Sequence, residues 1–145
     1  MKAIDKPIII TVDINASRIN IWSALTELNL MRQWFFDNIP DFKAKVGFQT
    51  TFDIHNEGRL FRHEWKVLEV QPEQSITTQW TFEGYEGVSH VTFSIDGIGP
   101  SHAVTVKAWA VEDHDTSIPE FRRESGVGGW TFFMNERLKG FCESM

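Results

Sequence analysis

Apolar and polar residues alternate along this chain with two different periods, and the switch between them marks out the elements. Ile8 to Ile14 is rich in β-branched residues and predicts a first strand. Ser17 can cap a helix running through Thr26, because Ile21, Trp22 and Leu25 share one face a turn apart. A second short helix is predicted over Leu28 to Trp34, with Leu30, Met31, Trp34 and Phe35 apolar. Pro40 closes this region, and the period then drops to two. Nothing between Val46 and Glu112 has a helical pattern.

Phe48, Thr50, Phe52 and Ile54 alternate with Gln49, Thr51, Asp53 and His55, as in a half-buried strand. With Glu57 and Gly58 as the tip of a hairpin, Ile54 faces Phe61, Phe52 faces His63, Thr50 faces Trp65 and Phe48 faces Val67. On the other face Asp53 meets Arg62 and Gln49 meets Lys66, so both faces make chemical sense. The second strand of this hairpin runs from Leu60 to Val70. Ser75 to Phe82 follows, with Ile76, Thr78, Trp80 and Phe82 on one face, and Gly84 and Gly87 are expected to bracket the next turn. Val91, Phe93 and Ile95 define a fifth strand. Val104, Val106 and Ala108 define a sixth, joined to it through Gly97, Gly99 and Pro100.

The period lengthens again at the end of the chain. Trp130, Phe133, Met134, Leu138 and Phe141 recur at the spacing of one helical face, while Thr131, Asn135, Glu136 and Lys139 fall on the other. Gly126, Gly128 and Gly129 weaken a helix, so a regular one is expected to begin near them after an irregular approach from Pro119. A helix with so heavy an aromatic stripe needs a partner, and the preceding strands supply a sheet. The expected architecture is α+β: one domain over residues 1–145, a meandering antiparallel sheet of about six strands, two short helices after the first strand, and a long C-terminal helix across the sheet.

The chain of 145 residues has 41% hydrophobic and 23% charged residues, the balance of a folded globular protein. A net charge of −6 and the absence of a basic run argue against nucleic acid or an anionic membrane surface as partner. Cys142 is the only cysteine, which excludes an internal disulfide and any zinc site built on several thiolates, and fits a cytoplasmic location. The apolar run from Ile8 to Val12 is too short for a membrane span, so no membrane insertion is expected. Gly126-Val127-Gly128-Gly129 has neither the spacing of a dinucleotide loop nor a Lys-Ser/Thr ending. No Gly-x-Ser-x-Gly elbow occurs, and His63-Glu64 lacks a second histidine at metalloprotease spacing. No cofactor, metal or catalytic set is therefore expected.

His63 is the most informative ionisable residue, because alternation places it inward among Phe52, Phe61 and Trp65. It either orients a polar group or acts as an acid or base, or it is a core histidine bonded to backbone or water. His55 lies on the opposite face, so the two cannot readily share an ion. Trp65, Trp80 and Trp130 can converge from sheet and helix, either filling the core or lining a pocket. Trp22 and Trp34 suit core plugs at the end of the sheet. Trp109 has the parity opposite to Val104, Val106 and Ala108 and marks an outward association surface, such as that of a homodimer.

Val12-Asp13-Ile14-Asn15-Ala16-Ser17, then Ile21-Trp22-Ser23-Ala24-Leu25-Thr26 and Met31-Arg32-Gln33-Trp34-Phe35, resembles the opening of the activator of heat-shock-protein ATPase homologue family. That family is a branch of the START and birch-pollen-allergen-like superfamily. Gly129-Trp130 with Phe133, Met134, Leu138 and Lys139 resembles its closing helix. The resemblance implies a helix-grip fold, in which a curved sheet wraps the terminal helix around a hydrophobic cavity. It also implies binding of lipid-like, apolar or aromatic small molecules, with cyclisation or hydrolysis in a minority and no shared catalytic set. The expected ligand-binding residues are Thr50, Phe52, His63, Trp65, Trp80, Phe93, Trp130 and Phe133, with His63 or Thr50 orienting a polar group. The alternatives are a cyclase- or hydrolase-type enzyme using His63 in the same cavity, and a chaperone-interaction module working through its outer surface.

Overall fold

The structure, a computed structural model, describes all residues from Met1 to Met145. Six strands form one antiparallel sheet in the order β1-β6-β5-β4-β3-β2. They are β1 (Ile8–Ile14), β2 (Gln49–Asn56), β3 (Arg59–Gln71), β4 (Ser75–Phe82), β5 (Tyr85–Asp96) and β6 (His102–Glu112). Helices α1 (Arg18–Thr26) and α2 (Leu28–Trp34) follow β1. Ser17 caps α1 by accepting a hydrogen bond from the Asn20 amide at 3.1 Å. The Trp34 indole donates to the Ala24 carbonyl at 2.7 Å and ties the two short helices together.

The β2–β3 hairpin has the expected register, with Phe52 opposite His63, Thr50 opposite Trp65 and Asp53 opposite Arg62. Its tip explains why. Glu57 and Gly58 both have positive φ, 50° and 78°, the two-residue turn whose twist matches that of the flanking strands. Irregularities at Val67/Glu69, Trp80/Phe82 and Val88/Ser89 interrupt the ladders, and bulges of this kind bend and twist a sheet. The curved sheet holds the terminal helix against its inner face, in the helix-grip arrangement.

Three sequence expectations need correction. The terminal helix begins at Arg123, not near Gly126 to Gly129; it is α-helical over Arg123–Thr131 (α3), widens to a π-helix over Phe132–Leu138 and is α-helical again over Lys139–Glu143 (α4). Tertiary contacts outweigh the low helix propensity of the glycines. The Arg123 guanidinium donates to the Lys6 and Pro7 carbonyls, and Gly126 sits so close to β1 that a Cβ there would fall 2.8 Å from Ile8 Cδ1. Gly87, expected to bracket the β4–β5 turn with Gly84, lies inside β5. Its φ of +108° and its contact with the His114 ring, where a Cβ would come within 2.3 Å of Nδ1, both require glycine.

Trp130, Met134, Leu138 and Cys142 are the buried positions of the terminal helix. They follow one another at four-residue steps, which drift around a helix of about 3.6 residues per turn. The wider turns of the π stretch, where the Lys139 amide bonds to the Met134 carbonyl, take up that drift and keep the stripe facing the sheet. Phe141, expected in the stripe, is half-buried at its margin, and Cys142 takes the core position. Burial raises the Cys142 thiol to about 12, so it stays protonated and apolar in character.

Candidate functional site

The inner face of the sheet, beneath the terminal helix, is lined with aromatic rings. Alternation along β2, β3, β4 and β5 delivers Phe52, His63, Trp65, Trp80 and Phe93 to this face, and the terminal helix adds Trp130 and Phe133. The expected convergence is there, with ring centres of Trp65 and Trp80 5.0 Å apart and those of Trp80 and Trp130 5.5 Å apart. Thr50 is half-buried on the edge strand opposite Trp65.

Two rings outside the expected ligand-binding set stand at the centre of this convergence. Phe35 stacks on Trp34 at 4.6 Å and on Trp65 at 5.6 Å, and lies 5.8 Å from Trp130 and 4.9 Å from Phe133. Phe36 meets Phe52 at 5.3 Å, His63 at 5.4 Å and Phe133 at 5.2 Å. The space left around Phe35, Trp65, Trp80 and Phe93 is about 20 Å³, room for a single water. The Trp65 indole N–H, fully buried, has no hydrogen-bond partner.

His63 stands in the wall of this cluster and lines neither interior space. Its Nδ1 lies 3.1 Å from the Phe61 carbonyl, an acceptor, so Nδ1 carries the proton and Nε2 the lone pair. Burial lowers its pKa to about 4, only partly offset by that hydrogen bond, and the ring is neutral at pH 7.

The larger space lies toward the other end of the helix. A cavity of about 140 Å³ is bounded by Trp80, Phe82, Val91, Ala108, Phe121 and Trp130, with exposed Arg122 and half-buried Arg123 and Glu120 at its rim. Met1 and Ile8 close it on the β1 side. Ser89 and His114 supply its polar wall, with Ser89 Oγ 2.7 Å from His114 Nε2. Burial, and then the Met1 amino group, lower the His114 pKa. The Met1 amine donates to the Phe121 carbonyl, and its own pKa falls on burial. At the rim, Arg59 and Asn56 donate to Glu120 and hold its carboxyl down at about 2, chiefly through the Arg59 hydrogen bond.

Sequence reasoning reached Trp80 and Trp130 of this cavity but not Ser89, His114, Phe121 or Met1. Ser89 is in phase with Val91, Phe93 and Ile95 but is small and polar, so an apolar pattern did not single it out, and the others lie outside every strand and α-helix. On the outer face, Trp109 is half-buried, with the Lys107 ammonium 5.0 Å above its ring and His90 at 5.6 Å. Arg62 bridges Asp53 and Glu83 there, lowering the Asp53 pKa through its hydrogen bond. His55 is exposed on that same side, and no group of three His, Cys, Asp or Glu side chains gathers as a metal site would. No helix is long and apolar enough to cross a membrane.

The family described as Activator of Hsp90 ATPase homolog 1-like protein matches residues 15–143, nearly the whole chain. The protein belongs to this family. Solved structures similar to this Activator of Hsp90 ATPase homolog 1-like chain share its fold at low identity. MLL2253 from Mesorhizobium loti is 23% identical with a TM-score of 0.74, over 97% of this chain and 98% of that one. The Aha1 dimer from Colwellia psychrerythraea is 20% identical with a TM-score of 0.69, over 96% and 97%. DynU16, a putative protein in the dynemicin biosynthetic locus, is 21% identical with a TM-score of 0.76. The alignment covers 97% of this chain but only 48% of DynU16, so the chain spans about half of that protein's length. A search of curated protein sequences gives no match.

Proposed function

We propose that the protein binds a small apolar or aromatic molecule in the space between the curved sheet and the terminal helix. The observation that carries this reading is the cavity of about 140 Å³ under Trp130, apolar on most sides and polar at Ser89 and His114. Apolar walls with a few fixed polar groups are the usual composition of a ligand site. Size narrows the ligand. An apolar cavity of about 150 Å³ is enough to take up benzene, whereas pockets for drug-sized ligands run to about 300–1,000 Å³. As it stands, the cavity suits one ring or the tip of a longer chain, with a hydroxyl or carbonyl group meeting Ser89 or His114.

Of the residues expected from sequence, Trp80 and Trp130 touch such a ligand directly. Phe52, His63, Trp65, Phe93 and Phe133 form the wall behind it, and Thr50 sits at the edge of that wall. Turnover through His63 is not proposed, because that ring lines neither interior space and is a weak base. A general base works best with a pKa near the operating pH, and burial keeps His63 near 4.

Trp80 and Trp130 make the protein its own reporter. Titration with toluene, phenol and short fatty acids should change the intrinsic tryptophan fluorescence in a saturable way for the ring-sized probes. Ala108→Leu, which pushes side-chain volume into the cavity, should abolish that response while the protein stays folded. A flat titration with every probe, or an unaltered one in Ala108→Leu, would overturn the reading.

A further inference from the structure

The aromatic centre of the protein is filled from an unusual source. Residues 35–48 form neither helix nor strand, yet two side chains of this segment, Phe35 and Phe36, occupy the space that the sheet and the terminal helix enclose. Irregular connections longer than about 12–15 residues are uncommon in compact domains and are often functional lids. The two rings sit between the end of α2 at Trp34 and the next buried anchor at Ile39, with Asp37 and Asn38 exposed between them. Few hydrogen bonds hold this stretch: the Phe35 amide donates to the Met31 carbonyl, Arg32 Nε to the Ile39 carbonyl and the Asn38 amide side chain to the Asp53 carbonyl.

The walls around these rings have the properties of a slot. Phe35 is nearly parallel to Trp34, at 2°, and stacks on Trp65 at 29°. Trp65 also carries the unsatisfied donor. A buried indole N–H almost always finds a partner, so one without an acceptor needs an explanation. Phe42 and Phe52 stand perpendicular to this indole at 88° and 87°, and ring faces are only weak acceptors. Trp80 and Val91 line both the small void beside Phe35 and the outer cavity, so withdrawal of Phe35 joins the two. Each ring withdrawn adds room of the order that one benzene needs, about 150 Å³, and the joined space reaches the roughly 300–1,000 Å³ of ordinary ligand pockets.

We propose that Phe35 and Phe36 are a displaceable plug over an inner binding site. Its ligand is a flat two-ring aromatic molecule carrying a carbonyl or similar acceptor, which receives the Trp65 indole N–H. The plug mimics its ligand: two phenyl rings hold the slot open and dry, and the ligand replaces their stacking while adding the hydrogen bond they cannot make. This rests on the binding function proposed above but concerns a different space, with Trp65 as the residue that sets specificity.

The test compares 2-acetylnaphthalene with 2-ethylnaphthalene, which has nearly the same shape but no acceptor, and uses toluene as the probe of the outer cavity. The wild-type protein should bind the ketone about ten-fold more tightly than the hydrocarbon, the usual worth of satisfying one buried donor. Trp65→Phe should erase that preference while still binding both. Phe35→Leu, which shrinks the plug without emptying the core, should strengthen both naphthalenes and leave toluene little changed. Amide exchange over residues 35–39 should accelerate when the ketone binds, because the plug leaves and the Phe35 amide loses Met31. Ketone binding with unchanged exchange there, equal affinity for the two naphthalenes, or toluene binding with neither naphthalene bound would each overturn the plug while leaving the outer cavity's function intact. Failure of all three probes to bind would overturn both readings.

Discussion

The two halves of the interior are built from the same sheet and the same helix, yet one is solid and the other hollow. Around Phe35 the void is about 20 Å³; around His114 it is about 140 Å³. Alternation and curvature are common to both, so neither accounts for the difference. Side-chain supply does. The solid half receives two phenyl rings from the segment after α2, in addition to Trp65, Phe93 and Phe133 from the regular elements. The hollow half has the small residues Ala108, Ser89 and Gly126 in its lining, and the irregular segments that bring Met1, His114 and Phe121 to its wall leave its centre open. A curved sheet gripping a helix thus creates an interior whose occupancy is decided locally, by the sizes of a few residues.

The sharpest way to break this comparison is to empty the solid half. Phe35→Ala should cost about 3–5 kcal/mol of unfolding free energy, as for other buried aromatic truncations, read from urea denaturation. A loss well below that would mean that the ring's surroundings collapse easily and that the two halves differ less than their volumes suggest.

Acid acts on the same half next most strongly. His63 has a folded pKa of about 4, against the ordinary 6.5 of an unfolded chain. Between those values the unfolded state binds the extra proton, so stability is full above pH 6.5 and falls as the pH drops toward 4. The linkage amounts to roughly 3 kcal/mol. His114, also lowered by burial, adds loss in the same direction from the hollow half. Stability curves measured from pH 7 to pH 4 should flatten substantially in His63→Gln and only slightly in a His114 variant.

Gly87→Ala tests the wall of the hollow half. The φ of +108° and the clash with His114 should together cost about 1–3 kcal/mol, the range for overpacking. Thermal denaturation gives the loss, and weakened toluene binding would tie it to the cavity. The smallest effect is expected from filling: Ala108→Leu should change stability by less than about 1 kcal/mol, since its extra volume enters existing space. A large loss there would mean that the hollow half is better packed than its cavity implies.

Much of this architecture could be read from the residues in order. The β2–β3 register followed from pairing Phe52 with His63 and Asp53 with Arg62 across a Glu57-Gly58 tip, because a one-residue slip would turn every apolar side chain outward. The aromatic convergence of Trp65, Trp80 and Trp130 followed from the same alternation. What could not be read lies where periodicity stops. Phe35 could be read only as an apolar residue closing the second short helix, and Phe36 belongs to no helix or strand, so nothing in their spacing announced that both meet at the centre of the aromatic cluster. His114 follows the end of β6, and only the fold brings it against Gly87 and Ser89. Arg123 could not be recognised as the first helical residue, because its partners, the Lys6 and Pro7 carbonyls, are remote in sequence.

By itself, then, the order of apolar and polar residues determined the strands, their inward faces and the need for a helix to cover them, since each depends on near neighbours and a fixed repeat. The tertiary structure decided which part of the interior is full, where polar groups meet it and how the π turn keeps Trp130, Met134 and Leu138 aligned. Those outcomes depend on volumes and contacts between segments far apart in the chain, and close packing resolves them only when all the segments are in place.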